Sequence, residues 1–167
     1  MAAHATTRGV LADEHAEKRA EIIDLLTQAY WMELETVLNY LACSINPDGV
    51  RAQEIRESLA EDVEEELGHA RQFGERIKEL YGIVPGSLEF HAEQATLQPP
   101  ESQIDLAHVI EGVIAAETGA IEHYNRIIEA TDGVDWATQD MVIAILHDEE
   151  RHRRLFEGFL REFQSEA

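Results

Sequence analysis

The chain has 167 residues and a formal net charge of −21 at pH 7, a length that suits one domain with a full hydrophobic core. The excess of acidic residues, 34 against 13 basic ones, disfavours binding to nucleic acid or to an anionic membrane surface. Because 44% of the residues are hydrophobic and recur with helical spacing, the acidity indicates a charged surface rather than a disordered chain. The single cysteine, Cys43, excludes an internal disulfide framework and is typical of a reducing compartment.

Targeting and membrane segments are not apparent in the sequence. The N-terminal segment 1–20 lacks the apolar run of a secretory signal. No stretch approaches the roughly 18 to 20 apolar residues that cross a bilayer. We therefore expect a cytoplasmic protein without a membrane partner.

Turn-forming residues divide the sequence into four long segments with helical periodicity. Glycine and proline cluster near residues 46–49, 82–86, 99–100 and 133. Between these clusters the apolar spacing predicts helices over about 14–44, 50–81, from about 104 onward, and 134–163. The predicted fold is all-α: an antiparallel four-helix bundle over residues 14–167, preceded by an N-terminal tail, 1–13. The connection over about 82–103 is long enough to be a crossover between the second and third helices.

A glutamate interrupts the apolar stripe of each predicted helix near its middle. The four residues are Glu33, Glu66, Glu117 and Glu149. Burying a lone carboxylate costs several kcal/mol, so four of them in one core need positive charge between them. Because no lysine or arginine occupies the central part of any stripe, a metal is the simplest source of that charge.

Two histidines strengthen the metal hypothesis, because each follows a stripe glutamate at the Glu-x-x-His spacing and so lies on the same helical face. Each pair of glutamates is also equidistant from a predicted turn, near residue 49 or residue 133, and antiparallel packing would bring its members to the same height. The pattern repeats at a nearly constant interval along the chain: Glu33, Glu66 and His69 recur as Glu117, Glu149 and His152.

Four carboxylates and two imidazoles suit two first-row divalent ions, with two carboxylates bridging and one histidine bound to each ion. Magnesium and calcium prefer oxygen-only sites. A structural zinc site would more often use cysteine. The donor set therefore favours two ions of iron or manganese. This arrangement is the known di-iron pattern of ferritin-like bundles.

The motifs resemble those of the ferritin-like superfamily, and those of bacterioferritins most closely, over about residues 17–163. The resemblance implies a di-iron ferroxidase centre in which Glu66 and Glu149 bridge the ions, Tyr40 lies beside the centre, and Glu33, His69, Glu117 and His152 complete the ligands. The residues that carry the resemblance are Glu33-Leu34, Asn39-Tyr40, Glu66-Leu67-Gly68-His69-Ala70 and Ile145-Leu146-His147-Asp148-Glu149-Glu150-Arg151-His152.

Several departures separate the chain from related families. Leu67 stands where bacterioferritins carry their haem-ligating methionine, so no haem is expected. Only the segment 153–167 follows His152, which leaves no room for the fifth helix of a 24-subunit shell. Rubrerythrins carry an additional carboxylate where this chain has Ala120. Eukaryotic ferritins lack the second Glu-x-x-His, and DNA-protecting mini-ferritins place their site between subunits.

The resemblance implies a ferroxidase, an enzyme that oxidises Fe(II) with O₂ or H₂O₂ for iron storage or detoxification. Two alternatives stay open. One is a di-iron or di-manganese oxidase or peroxidase of the rubrerythrin type without storage, and the other is a non-enzymatic, metal-stabilised component of an assembly. Because ferritin-like bundles commonly pair through their first two helices, we expect a homo-oligomer, at least a dimer.

Overall fold

The computed structural model describes residues 9–165 and contains four long helices. They are α1 (Ala16–Ile45), α2 (Ala52–Glu79), α3 (Leu106–Thr131) and α4 (Trp136–Ser165). The prediction of an all-α fold is confirmed, since residues 9–165 include no β-strand. No helix within these residues is both long and apolar enough to cross a membrane.

Short connections make two antiparallel helix pairs. α1 packs on α2, α3 packs on α4, and α1 also contacts α3. The connection between α3 and α4 contains Gly133 with a φ of +71°, a left-handed conformation that is unfavourable for residues with a side chain. Residues 80–105 form the crossover that joins the two pairs, as the sequence predicts.

The crossover is attached to the bundle by a buried carboxylate and by a close backbone contact. Glu35 of α1 accepts hydrogen bonds from the backbone N–H of Glu93, at 2.8 and 3.0 Å, and from that of Gln94, at 2.8 Å. At Gly112 of α3 an added Cβ would lie 2.7 Å from the carbonyl oxygen of Thr96. Glycine therefore permits an approach that any side chain would block.

The segment before α1 also packs on the bundle in its described part. Residues 1–8 of the predicted N-terminal tail lie outside the described residues. From Gly9 a short 3₁₀ helix follows, and Val10 and Ala12 are buried. The guanidinium of Arg19 donates to the carbonyl oxygens of Val10, at 2.8 Å, and Ala12, at 3.1 Å.

The hydrophobic core consists of two apolar clusters on either side of a polar layer. In α1 the first cluster includes Ile22, Leu26 and Ala29, and the second includes Tyr40 and Cys43. The predicted ligand of α1 lies between these two groups in the sequence. In the other three helices the predicted ligands also lie between members of the two clusters, in the reverse order in α2 and α3, so the four interrupted stripes meet at one level of the bundle. The members from those helices are Phe73, Ile77, Tyr124, Ile127, Val142 and Ile145 in the first cluster, and Ile55, Leu59, Ile110, Val113 and Phe156 in the second.

Candidate metal centre

The polar layer contains all six predicted ligands, and the structure brings them together inside the bundle. Each side chain comes from the middle of a helix, so its position is fixed by packing on both sides rather than by a loop. None of the six residues is more than 3% exposed. They are Glu33, Glu66, His69, Glu117, Glu149 and His152.

The six side chains form two overlapping groups of potential metal ligands. In each group one oxygen or nitrogen atom per residue lies within 4.8 Å of the corresponding atoms of the others. Glu66 and Glu149 belong to both groups, and these are the two residues for which the family resemblance implies a bridging role. The first group is Glu33, Glu66, His69 and Glu149, and the second is Glu66, Glu117, Glu149 and His152.

Both histidine rings direct Nδ1 towards the shared carboxylates. Nδ1 of His69 lies 3.2 Å from Glu66 Oε2 and 3.1 Å from Glu149 Oε1. Nδ1 of His152 lies 3.2 Å from Glu66 Oε1 and 3.5 Å from Glu149 Oε2. The two shared glutamates therefore lie between the two imidazoles, and Nδ1 is the nitrogen that each ring directs towards them.

The shared carboxylate and the imidazoles stabilise each other's charged forms. Burial raises the pKa of Glu66, but the close approach of His152 and His69 outweighs it and lowers that pKa to about 2. Burial lowers the pKa of His69, yet Glu149 and Glu66 raise it to about 10. The same balance raises the pKa of His152 to about 12. Without metal, the imidazoles thus serve as the cations of the layer.

Glu33 and Glu117, the two outer glutamates, each belong to one ligand group only, and their pKa values shift upward, opposite to that of Glu66. Burial, followed by the charges of Glu149 and Glu66, raises the pKa of Glu33 well above its ordinary value. The same causes raise the pKa of Glu117. If all four carboxylates were ionised, their negative charge would exceed the positive charge of the two imidazoles. The buried layer therefore does not hold all four in the ionised form without a further cation. A bound cation would favour the ionised form of these side chains.

Two buried tyrosines donate hydrogen bonds to the outer glutamates. The hydroxyl of Tyr40 on α1 donates to Glu117, and the hydroxyl of Tyr124 on α3 donates to Glu33. The family resemblance predicts Tyr40 beside the centre, whereas a role for Tyr124 there is not predicted. The internal repeat could have identified Tyr124, because the sequence interval between the two tyrosines equals the interval between the two glutamates that they contact.

The donor atoms of the layer fit a pair of metal ions. Glu66 Oε1, both carboxylate oxygens of Glu149 and Nδ1 of His152 are buried, and their contacts of 3.1 to 3.5 Å within the layer are not hydrogen bonds, so these atoms have no hydrogen-bond partner among residues 9–165. Buried polar atoms without partners cost free energy unless something else satisfies them. These four atoms lie at the overlap of the two groups, where oxygen and imidazole donors suit first-row divalent ions.

The chain is similar in sequence to two known proteins. It is 28% identical over 144 residues to the DNA protection during starvation protein of Pyrococcus furiosus, covering 84% of this chain and 77% of that one. It is 24% identical over 149 residues to the bacterioferritin of Desulfovibrio desulfuricans, covering 89% and 79% of the two chains.

Solved structures show the same fold. A dodecameric thioferritin from Bacteroides fragilis, described as related to bacterioferritin, superposes with a TM-score of 0.76 at 22% identity over 92% of this chain and 96% of that one. The D. desulfuricans bacterioferritin gives a TM-score of 0.76 at 22% identity over 90% and 84%. The family model for the ferritin-like domain matches residues 23–165, which include all six clustered residues. The chain therefore belongs to the ferritin-like family, in which iron oxidation, storage and protection are the general functions.

Proposed function

We propose that the protein is a ferroxidase, which binds two Fe²⁺ ions per chain as substrate and oxidises them with O₂ or H₂O₂ for iron storage or detoxification. The observation that carries this proposal is the sharing of Glu66 and Glu149 between two groups of four ligands. Two ions held by common carboxylates can deliver two electrons to one oxidant. The family and its iron chemistry support the same conclusion.

The six residues have distinct proposed roles. Glu66 and Glu149 would be shared by the two ions, and each ion would take one further glutamate and one imidazole. The hydroxyls of Tyr40 and Tyr124 fix the carboxylates of Glu117 and Glu33. The imidazoles lose a proton from Nδ1 when they bind metal, which makes loading sensitive to pH. The surrounding apolar clusters exclude water from the layer.

Iron fits this donor set, and manganese remains an alternative ion. The two imidazoles disfavour magnesium and calcium, which take oxygen ligands. Haem is not part of the proposal, since Leu67 carries no side-chain ligand for it. The experiment that separates iron from manganese is a competition titration with both ions under anaerobic conditions, followed by metal analysis of the recovered protein.

Oxidation of Fe²⁺ in air tests the ferroxidase proposal. We expect rapid oxidation of the first two equivalents per chain, because both ions enter a preassembled pair of sites. Glu66→Ala, which removes a shared ligand, should abolish this phase, whereas Glu64→Ala removes a carboxylate that belongs to neither ligand group and should not. Binding without faster oxidation would instead support the non-enzymatic, metal-stabilised component.

Later equivalents of iron separate storage from a rubrerythrin-like oxidase or peroxidase. A storage protein must keep many ferric ions per chain soluble at neutral pH. An oxidase for another substrate should stop at two ions and leave the excess to precipitate. Size-exclusion chromatography with iron analysis measures the difference. Retention of tens of irons in a large particle would support storage, and two irons in a species no larger than a dimer would contradict it.

For partners, we propose a homo-oligomer, at least a dimer, that binds neither nucleic acid nor membranes. The dodecameric state of the B. fragilis relative supports assembly. The name of the P. furiosus relative refers to DNA protection, but the net charge of −21 opposes contact between this chain and a phosphate backbone. Any protection by this protein would therefore act through removal of Fe²⁺ and oxidant.

A further inference from the structure

Two carboxylates outside the six ligands face the outer nitrogens of the histidines. Oε2 of Glu65 lies 3.1 Å from Nε2 of His152. Oδ2 of Asp148 lies 3.5 Å from Nε2 of His69. Oδ1 of Asp62 makes a third and longer contact, 3.6 Å from the same Nε2 of His152. Each imidazole is thus placed between the shared glutamates at Nδ1 and at least one further carboxylate at Nε2.

An arginine connects these two outer carboxylates. Nη2 of Arg151 lies 2.7 Å from Oε1 of Glu65 and 3.5 Å from Oδ1 of Asp148. In each carboxylate, therefore, one oxygen faces the arginine and the other faces a histidine. The three charged side chains are 32 to 55% exposed, whereas the two histidine side chains are at most 4% exposed. We call Glu65, Asp148 and Arg151 the outer clamp.

The clamp crosses between helices and follows the internal repeat. Glu65 belongs to α2 and contacts the histidine of α4, whereas Asp148 belongs to α4 and contacts the histidine of α2. The interval between Glu65 and Asp148 in the sequence is the one that separates the two bridging glutamates and the two histidines. Both halves of the proposed metal centre therefore have an equivalent carboxylate at Nε2, and the His152 half has Asp62 in addition.

We propose that Glu65 and Asp148 are positioning residues, each of which holds one histidine ring with Nδ1 directed at the metal pair, and that Arg151 fixes both carboxylates. The inference rests on the proposed metal site. A carboxylate that accepts a hydrogen bond from Nε2–H selects the tautomer with a free Nδ1, orients the ring and makes Nδ1 a better donor. The distances to Nε2 allow this arrangement in both halves.

A purely electrostatic role would have a different signature. If Glu65 only attracted cations, any carboxylate at a similar distance along α2 would do the same, and no single histidine would be affected. The chain offers matched controls, because Glu64 on α2 and Glu150 on α4 are neighbours in the sequence that lie outside both ligand groups. Removing Glu64 or Glu65 changes the net charge equally, but Glu65 is the one that contacts Nε2 of His152.

Anaerobic titration with Co²⁺, followed by visible absorption, measures binding of the two ions without turnover. We expect Glu65→Ala to weaken binding of one of two Co²⁺ ions by about 10- to 100-fold, Asp148→Ala to weaken the other, and the double variant to weaken both. Glu65→Gln keeps an acceptor oxygen and should restore most of the affinity. Equal losses in Glu64→Ala and Glu65→Ala would overturn the proposal.

NMR of the Zn²⁺-loaded protein, labelled with ¹⁵N in histidine, identifies the ring that each variant affects. In the wild type we expect a slowly exchanging Nε2–H on both His69 and His152. Glu65→Ala should accelerate exchange at His152 alone, Asp148→Ala at His69 alone, and Arg151→Gln at both rings. Arg154→Gln removes an exposed charge elsewhere on α4 and is the control.

The two possible failures are distinguishable. A wild-type chain that does not bind a pair of Co²⁺ ions would overturn both the proposed metal site and the clamp. A wild-type chain that binds the pair, with clamp variants that match their controls, would overturn the clamp alone and leave the proposed function standing. Metal-bound Nε2 instead of Nδ1 in the Zn²⁺ spectrum would also overturn the clamp.

Discussion

At the scale of single residues, the buried layer combines groups whose pKa values shift in opposite directions. The pKa of Glu66 falls to about 2 because two imidazoles approach it, and the same contacts raise the pKa values of His69 and His152 to about 10 and about 12. The metal-free layer is thus stabilised by protons on the histidines. Metal and protons compete for the same atoms, namely Nδ1 of the two rings.

This competition predicts that metal binding releases protons. At pH 7, below both raised pKa values, each ring carries a proton that Nδ1 must lose, so we expect at least two protons released per pair of ions. Affinity should rise with pH by up to tenfold per released proton per pH unit, with both rings contributing below about pH 10, the pKa of His69, and His152 alone above it. Calorimetry of Co²⁺ binding in buffers of different ionisation enthalpy measures the number of protons released. Binding at pH 7 with no net proton release would contradict this account.

Substitution of a shared ligand should remove more metal ions per chain than substitution of an outer ligand. Glu66 belongs to both groups of four, whereas Glu33 belongs to one. We therefore expect Glu66→Ala to lose both ions and Glu33→Ala to keep the ion of the second group. Anaerobic Fe²⁺ titration with metal analysis gives the stoichiometry, and Glu64→Ala is the control that should keep two. A Glu66→Ala protein that still binds two ions would show that the sites are independent.

The sequence predicts the six candidate ligands because four glutamates interrupt apolar stripes and two histidines follow such a glutamate at the Glu-x-x-His spacing. A glutamate within an apolar stripe is costly unless it is paired, so its position is informative without any structure. Tyr124 breaks no pattern, since an aromatic residue in a stripe also suits plain packing. Its hydroxyl partner belongs to a different helix. Glu65 and Asp148 are not predicted as site residues for a related reason, because charged residues near a helix surface are common.

At the scale of elements, periodicity and turn residues predict the four helices with only small differences at their ends, but they do not predict the path of the crossover. Its position depends on polar contacts between residues far apart in sequence, such as Glu35 with the backbone of residues 93 and 94. In the sequence, the spacing of Glu35 in α1 does not distinguish it from charged residues that are exposed on the helix. The structure shows that it is buried and bound to two N–H groups.

Removal of the Glu35 carboxylate should loosen the crossover. Glu35→Ala leaves the N–H groups of Glu93 and Gln94 without their acceptor. Since hydrogen bonds to a charged group contribute about 1.5 to 3 kcal/mol, we expect the free energy of unfolding to fall by about that amount. Glu93→Ala removes an exposed side chain and keeps the backbone donor, so it should cost little. Chemical denaturation of the metal-free proteins measures both, and equal stabilities would contradict the anchoring role.

At the scale of the whole molecule, the layer of candidate metal ligands is complete within one chain. All members of both ligand groups come from α1, α2, α3 and α4 of the same bundle. Two apolar clusters enclose the layer from either end. Assembly of several chains is therefore not needed to bring the candidate ligands together. A substitution that disrupts assembly would leave every candidate ligand in place. This separation makes the oligomeric state testable independently of metal binding.

An exposed apolar stripe on α1 predicts where copies of the chain associate. Leu38, Leu41 and Ile45 are 58, 47 and 63% exposed, and their spacing places them on one face of the helix. An apolar cavity of about 260 Å³, lined in part by Leu34 and Leu38, continues this face. Contiguous exposed apolar surface of this kind marks interaction sites. We expect the face to be covered by a second copy of the chain.

Leu38→Glu tests this prediction, because it introduces a charge at the centre of the stripe and should shift the protein towards monomer. Native mass spectrometry at micromolar concentration measures the shift, and the variant should still bind two Co²⁺ ions per chain. Leu155→Glu, at a 45% exposed position on α4, is the control and should keep the dimer. A wild-type protein that is monomeric under these conditions would contradict the prediction. A Leu38→Glu protein that loses its metal as well as its partner would show that the centre depends on assembly, although its ligands all come from one chain.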